Sequence, residues 1–180
     1  MSKVVVTSSA DQPAEVVNLK DPTVAAILGW LIPGLGHIYQ GRTAKGLLFM
    51  VTILGTFFYG LFLSDGKAVY ASWLEDDRRP HYFAQLGVGL PALPALVQTY
   101  RVRSGKPPLM GGFEAPPADP AELSEWYRKL HNYFELGTVY TMIAGLLNVL
   151  AIYDAWGGPV FLELSDDKKR KPDQPAIAPG

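Results

Sequence analysis

The amino-acid sequence predicts an all-α integral membrane protein, a helical bundle of about four transmembrane helices with one amphipathic helix at the membrane interface. Long stretches without a charged residue alternate with polar segments, and the charges lie in those segments and near the two ends of the chain. The averages conceal this segregation, because 48% of the residues are hydrophobic and the net charge is only −1. The distribution of charge along the chain therefore indicates a membrane protein.

We expect a single helical membrane domain over residues 21–160, between disordered tails at residues 1–20 and 161–180. The expected transmembrane helices cover residues 23–39, 46–63, 82–100 and 136–153, and the expected amphipathic helix covers residues 120–135. The chain contains no cysteine, so neither disulfides nor cysteine metal sites contribute to this domain.

The first expected span is short and broken. Asp21 and Pro22 are typical of a helix start, because an oxygen-bearing N-cap precedes a proline at the first helical position. Pro33 and Gly34 interrupt the apolar stretch after about three turns. A break at membrane depth requires protein or water to satisfy the freed carbonyl groups. The element is therefore either a bent span or a re-entrant one, which leaves four spans or three spans plus a re-entrant loop.

The second expected span is the most regular. Its 18 residues from Gly46 to Leu63 carry no charge, and at about 1.5 Å rise per residue they nearly cross the ~30 Å hydrocarbon core. Thr52, Thr56 and Gly60 recur at every fourth residue and leave a face of small side chains for a neighbouring helix.

The third expected span is bounded by Tyr82 and Tyr100, which suit the two membrane interfaces. Two prolines inside it should kink the helix. Gln85 and Gln98 must find hydrogen-bond partners inside the bundle, either as contacts between helices or as groups that line a pore.

The last expected span carries small and polar residues on one face. Gly137, Thr141 and Gly145 form a stripe at a spacing of four residues, and Asn148 continues this stripe. We expect Asn148 to be buried and to form a hydrogen bond between helices. Trp156 is expected to anchor the far end of the span at the interface.

The segment before this span predicts an amphipathic helix. Asp119, Pro120 and Glu122 match a capping-box start, and Trp126 and Tyr127 lie on the apolar side. This face suits either the membrane interface, with both aromatic residues as anchors, or packing against a partner or the protein's own loops.

The polar elbow between the first two apolar stretches resembles the turn of the two-transmembrane-helix domain family. The matching positions follow a proline–glycine break and are Gly36, His37, Tyr39, Gly41 and Arg42, with Gly46 opening the next helix. The chain has His-Ile-Tyr where that family has an Asp-Arg-Phe type of tripeptide. The whole layout, with Leu-Asn-x-Leu-x-x-x-Asp-Ala in the last span, also resembles bacterial multi-span membrane proteins of unknown function. The resemblance implies a membrane hairpin and assigns no activity.

The sequence contains no pattern that supports an enzyme, a metal site, a cofactor site or nucleic-acid binding. His37, His81 and His131 lie in three separate polar segments without the spacing of metal ligands. The net charge gives no basic field for nucleic acid. We therefore expect no catalytic, cofactor-binding or metal-binding residues.

Two classes of function remain, and both place a multi-pass protein in the inner, cytoplasmic membrane of a bacterium with the lipid bilayer as its partner. The first is a small scaffold or membrane-organising protein that docks a protein partner or a second copy of itself. The second is a transporter or channel component with a polar path through Gln85, Gln98 and Asn148. No expected span carries a charged residue at its centre, which favours the scaffold.

Overall fold

The computed structural model describes residues 4–9, 12–18, 20–75 and 77–158, and these fold mainly as α-helices. The helices are α1 (Pro22–Leu31), α2 (Leu35–Tyr39), α3 (Thr43–Leu63), α4 (His81–Leu86), α5 (Pro94–Arg103), α6 (Pro120–Leu130) and α7 (Asn132–Gly157). Short 3₁₀ helices lie at Leu90–Ala92 and Met110–Gly112. The C-terminal tail for which the sequence predicts disorder lies outside the described residues.

Two small antiparallel pairs of strands accompany the helices. Strands β1 (Val4–Ser9) and β2 (Gln12–Asn18) pair within the N-terminal segment for which the sequence predicts disorder. Val5 pairs with Val17 and Val6 with Val16, and β-branched residues favour strands, which accounts for the difference from the prediction. Strands β3 (Trp73–Leu74) and β4 (Asp77–Arg78) pair in the loop after α3.

The centre of the bundle is the antiparallel pair of α3 and α7. Gly60 of α3 packs against Gly137 of α7 at one end, and Lys45 of α3 bonds Asp154 of α7 at the other. A Cβ atom on Gly137 would lie 2.5 Å from the Gly60 carbonyl oxygen, so glycine is what lets the two backbones approach this closely. Among the described helices, α3 and α7 are the two that are long and apolar enough to cross a membrane.

The first expected span is not one helix, because α1 and α2 form a short hairpin that doubles back. The Nζ of Lys20, just before α1, lies 4.9 Å from the ring centroid of Tyr39 at the end of α2. Pro33 and Gly34 make the turn between the two helices, with Gly34 at φ +82. The chain therefore reverses direction here, as the re-entrant alternative expects, and does not continue as a bent helix.

The third expected span is also divided, into α4, a 3₁₀ turn and α5, and it doubles back as well. Ser72 contacts both ends of this second hairpin. Its carbonyl accepts from the backbone N–H of Arg79 before α4 at 3.0 Å, and its hydroxyl accepts from Arg103 at the end of α5 at 3.3 Å. Gly89, at φ +84, lies in the turn and packs against the carbonyl of Trp30.

Both differences from the predicted spans have the same physical cause. A proline kinks a helix, but the chain continues in the same direction only if the residues beside the break keep helical dihedral angles. Here a glycine with positive φ lies close to the proline at each break, since Gly34 directly follows Pro33 and Gly89 lies two residues before Pro91. The first element thus follows one of its two predicted alternatives, whereas the third differs from the single kinked helix that the sequence predicts, since each consists of two short helices that reverse direction.

The two hairpins enter the bundle from opposite ends of α7. His37 of α2 bonds Asp154 near the end of α7 at 2.7 Å, and Arg79 before α4 donates to Thr138 near the start of α7 at 3.4 Å. These two positions on α7 lie about 24 Å apart along the helix axis. Where the tips meet, the indole Nε1 of Trp30 donates to a carbonyl of the second hairpin at 3.3 Å.

The predicted amphipathic helix is shorter than expected, and the helix that follows it is longer. The observed helix α6 ends at Leu130, because His131 adopts a left-handed φ of +50. Helix α7 then begins at Asn132, four residues before the expected start at residue 136.

The apolar face of α6 packs against the protein itself. Trp126 is 8% exposed, and its ring centroid lies 6.0 Å from that of Tyr70 and 6.3 Å from that of Phe134. Of the two alternatives for this helix, packing against the protein's own loops is the one observed. Trp126 is therefore not available as an interfacial anchor, whereas Tyr127 and Trp156 are exposed.

Candidate functional site

Both hairpin tips bond to the same side chain of α7, that of Asn148. Its amide nitrogen Nδ2 donates to the carbonyl of Gly29 in α1 at 3.0 Å and to the carbonyl of Gly87 at the end of α4 at 3.0 Å. Asn148 is completely buried. The side chain thus bonds both hairpins to α7 at the same point.

Proline explains why these two carbonyl groups need a donor from another helix. In a continuous helix the carbonyl of each residue accepts from the N–H of the fourth residue after it. That residue is Pro33 for Gly29 and Pro91 for Gly87, and proline has no N–H. The two N–H bonds of the Asn148 amide take the place of the two missing donors. A buried carbonyl without a donor would cost about 1–3 kcal/mol.

A second polar contact lies further towards the start of α7. The Nε2 of Gln85 donates to Thr141 Oγ1 at 2.9 Å and to the Ala68 carbonyl at 3.0 Å, and both Gln85 and Thr141 are completely buried. Gly145, one turn along α7, lies against the carbonyl of Ala84, and a Cβ atom there would collide with it. The structure therefore brings together four of the predicted packing or polar-path residues, which are Gln85, Thr141, Gly145 and Asn148.

Gln98, the fifth of these predicted residues, lies elsewhere. Its Nε2 donates to the carbonyls of Leu109 and Phe113, both at 2.8 Å, and its Oε1 accepts from the Leu109 N–H at 2.9 Å. Gln98 therefore fastens the loop after α5 to that helix, and these hydrogen bonds do not involve α7.

Arg79 belongs to the same end of the site, and the sequence analysis did not identify it. It is 6% exposed, and its guanidinium donates to the Ala68 carbonyl at 3.0 Å and to Thr138. The guanidinium carbon lies 4.5 Å from the ring centroid of Tyr70 and 5.1 Å from that of Phe134. No carboxylate in the described part of the chain forms an ion pair with Arg79. Arg79 follows several charged residues in the sequence, and such a run of charges is typical of an exposed loop. The sequence therefore does not indicate that this arginine is buried.

At the opposite end of the bundle, Asp154 collects three basic side chains of the elbow. His37 Nε2, Lys45 Nζ and Arg42 Nη2 lie 2.7, 2.8 and 3.2 Å from the same carboxylate oxygen, Oδ2. This cluster fastens the end of α2 and the start of α3 to the end of α7. It contains one carboxylate and one imidazole, and nowhere in the described ranges do three or more His, Asp or Glu side chains converge as metal ligands.

The remaining elbow residues shape the turn. Gly36 lies against the carbonyl of Ala25, where a Cβ atom would not fit, and Gly41 is exposed with φ +83. Tyr39 lies beneath the Lys20 ammonium group. The sequence identified these residues but not Asp154 as their partner, because His37 and Asp154 stand 117 positions apart in the chain.

Glu114 is a completely buried carboxyl group in the loop between α5 and α6, and the sequence analysis did not identify it either. Its backbone has a φ of +53, and its N–H donates to the carbonyl of Gly66 at 3.0 Å. Burial raises the pKa of Glu114 to about 8, although the N–H of Ala95 at the start of α5 opposes this effect in part. No basic side chain within the described ranges pairs with it.

The fold defines a mainly helical protein with two helices able to cross a membrane by length and composition. The chain belongs to the family of unknown function DUF6677, whose family model matches residues 24–168. The matched range includes α2 to α7. No curated protein and no solved structure matches the chain. The expected resemblance to an uncharacterised family is confirmed, while nothing confirms the two-transmembrane-helix domain family.

We expect Asn148→Leu to lower the free energy of unfolding by at least ~2 kcal/mol, because the carbonyls of Gly29 and Gly87 both lose their donor. The measurement is the thermal unfolding midpoint of the purified protein in detergent. Val149→Leu is the matched control, since Val149 is the next residue of α7 and is 49% exposed. Equal midpoints for all three proteins would contradict the role of Asn148.

Glu114→Gln should remove a pH dependence of stability. Below the ordinary pKa of 4.5 the carboxyl is protonated in both states, and between 4.5 and about 8 only the unfolded chain ionises. The native protein therefore loses stability as the pH rises through this window, by up to ~1.4 kcal/mol per pH unit. The variant stays neutral and should unfold at the same temperature as the native protein near pH 4.5, and at a higher temperature near pH 8. Glu125→Gln, at an exposed position, serves as control. If the difference in unfolding temperature between Glu114→Gln and the native protein does not widen as the pH rises, Glu114 is not the group responsible.

Proposed function

We propose that the protein is an integral membrane scaffold in which α3 and α7 span the bilayer and the two hairpins enter it from opposite faces without crossing it. The exposure of α3 and α7 supports this placement. In the most apolar 18-residue stretch of each helix, only 28% of α3 and 39% of α7 are buried within the protein. A core helix of a soluble protein would be mostly covered. The exposed apolar side chains of the two helices include Leu47, Val51, Phe58, Phe62, Val139, Leu146 and Leu150.

The bonding of the hairpin tips also supports membrane placement. Broken helices are tolerated in the hydrocarbon region only where protein or water satisfies the free backbone groups. Asn148 supplies both donors for the two broken helices, and Trp30 supplies another to the second hairpin. The carbonyls beside the two breaks are thus satisfied without solvent, as membrane depth requires.

One observation carries the choice of a scaffold over a conduit. The amide nitrogens of Asn148, Gln85 and Gln98 all donate to the protein's own carbonyl or hydroxyl groups. The side chains that would line a polar path thus hold the hairpins and a loop in place. Amide groups that are bonded within the protein hold it in one fixed shape, and a docking or organising protein requires such a shape.

A transporter or channel component is the second candidate, and a different observation favours it. The Oδ1 of Asn148 and the Oε1 of Gln85 are buried and have no hydrogen-bond partner among the described residues. Both acceptors lie along the interface of the second hairpin with α7. Discontinuous helices that meet near the middle of a membrane form solute sites in many transporters.

The first experiment tests membrane insertion itself. Membranes from cells that express the full chain are washed with alkaline carbonate, which releases peripheral proteins. We expect the protein to remain in the membrane pellet and to require detergent for release. Recovery in the carbonate supernatant would refute both membrane functions.

The second experiment separates the scaffold from the conduit. The purified protein is reconstituted into lipid vesicles, and the permeability to water, protons and potassium is measured against vesicles without protein. A scaffold should leave all three permeabilities at the background value, and Thr141→Val, which removes the Gln85 acceptor, should change only the unfolding midpoint. A permeability above background that Thr141→Val alters would establish the conduit instead.

A further inference from the structure

An apolar groove with a volume of about 380 Å³ lies between the two candidate spans. From α3 it is lined by Leu48, Thr52 and Ile53, and from α7 by Leu147, Leu150 and Ala151. All of these side chains except that of Thr52 are purely hydrocarbon. The volume falls within the ~300–1,000 Å³ of typical ligand pockets.

Phe49 connects this groove to the basic cluster of the elbow. Its side chain lines the groove, and its ring centroid lies 5.6 Å from Lys45 Nζ and 4.9 Å from the ring centroid of His37. On α7, Asp154 follows the groove residue Leu150 by one helical turn. One end of the groove therefore lies at the cluster around Asp154.

The cluster carries more positive than negative charge. Arg42 and Lys45 both pair with the single carboxylate of Asp154, which leaves an excess of one positive charge even when His37 is neutral. The Arg42 Nη1 is buried and has no hydrogen-bond partner among the described residues, and the Lys45 side chain is 36% exposed. Asp21, another carboxylate near this end, caps α1, and the charge of the adjacent Lys20, whose Nζ lies over the Tyr39 ring, offsets its own.

The N-terminus of α3 adds to the positive potential at this point. Arg42 is its N-cap residue and provides no side-chain acceptor for the first N–H groups of the helix. Free N–H groups and the helix dipole attract anions, phosphate groups among them. The cluster and the helix end therefore favour the same kind of ligand.

We propose that the groove and the elbow cluster together bind one anionic phospholipid, with an acyl chain in the groove and the phosphate beside Arg42 and Lys45. A lipid can occupy the groove only if α3 and α7 span the bilayer, so the assignment rests on the proposed function. The hydrocarbon lining selects an acyl chain, and the excess positive charge selects an anionic headgroup over a zwitterionic one. A free phosphate ion would use the cluster alone.

The test is native mass spectrometry of the full chain in detergent, titrated with phosphatidylglycerol and with phosphatidylcholine of identical acyl chains. We expect tighter binding of phosphatidylglycerol. Lys45→Gln keeps a donor for Asp154. It should weaken the binding of phosphatidylglycerol by about fivefold and change the binding of phosphatidylcholine little. Leu150→Trp should fill the groove and weaken both lipids, and Leu147→Trp is a second groove variant in case the first fails to fold.

Two matched controls belong to the same experiment. Lys129→Gln removes an exposed cation on α6, and Leu146→Trp adds a ring to a part of α7 that does not line the groove. Both should bind the two lipids as the native chain does. Losses in these controls equal to those at Lys45 and Leu150, or equal affinity of the native chain for the two lipids, would overturn the proposal.

Inorganic phosphate distinguishes the two sources of the anion. The lipid proposal expects millimolar phosphate to displace little phosphatidylglycerol, because the acyl chain adds to the binding. Full displacement by phosphate together with unchanged lipid binding by the groove variants would assign the cluster to a free ion and refute the lipid site. Failure of the membrane placement would show separately, as release of the protein by carbonate.

Discussion

The hydrogen bonds from Asn148 to the carbonyls of Gly29 and Gly87 are the constraint on which the rest of the bundle depends. Two prolines have removed the donors that a continuous helix would have supplied at these carbonyls. Without a replacement, each tip would place a free carbonyl in an apolar interior. One amide has two N–H bonds, and the two hairpins need one donor each. The tips therefore meet at the depth of Asn148, where α7 supplies both donors.

Helix α7 also fixes the outer ends of both hairpins, but by different chemistry at its two ends. Asp154 binds the elbow through ion pairs with Arg42 and Lys45. Arg79 instead donates to Thr138 and to the carbonyl of Ala68, and it forms no ion pair with a carboxylate of the described residues. Between these ends, small residues let the neighbouring backbones approach closely. The result is a bundle whose polar groups bond to one another in its interior and at its ends, while the outer faces of α3 and α7 remain apolar and exposed.

The sequence predicted those features that depend on local chemistry. The long uncharged stretch gave α3, and the stripe of small residues that ends in Asn148 gave both the packing face of α7 and its buried polar group. The reversal of the chain at Pro33 was one of two alternatives, and the reversal near Pro91 was not foreseen, because proline is compatible with a kink as well as with a turn. The role of Asp154 depends on a contact with an elbow 117 positions away, which no local pattern encodes.

The central claim is that each hairpin enters and leaves the membrane on one side, and cysteine accessibility tests it most directly because the native chain has no cysteine. Single cysteines are placed at the exposed positions Thr23, Thr43, His81 and Ser104 and labelled in intact cells with a membrane-impermeant maleimide. If each hairpin stays on one side, Thr23 and Thr43 label to the same extent, and so do His81 and Ser104. Only one of these two pairs is then labelled from outside the cell. Opposite labelling within either pair would show that the hairpin between those positions crosses the membrane, and would contradict the account.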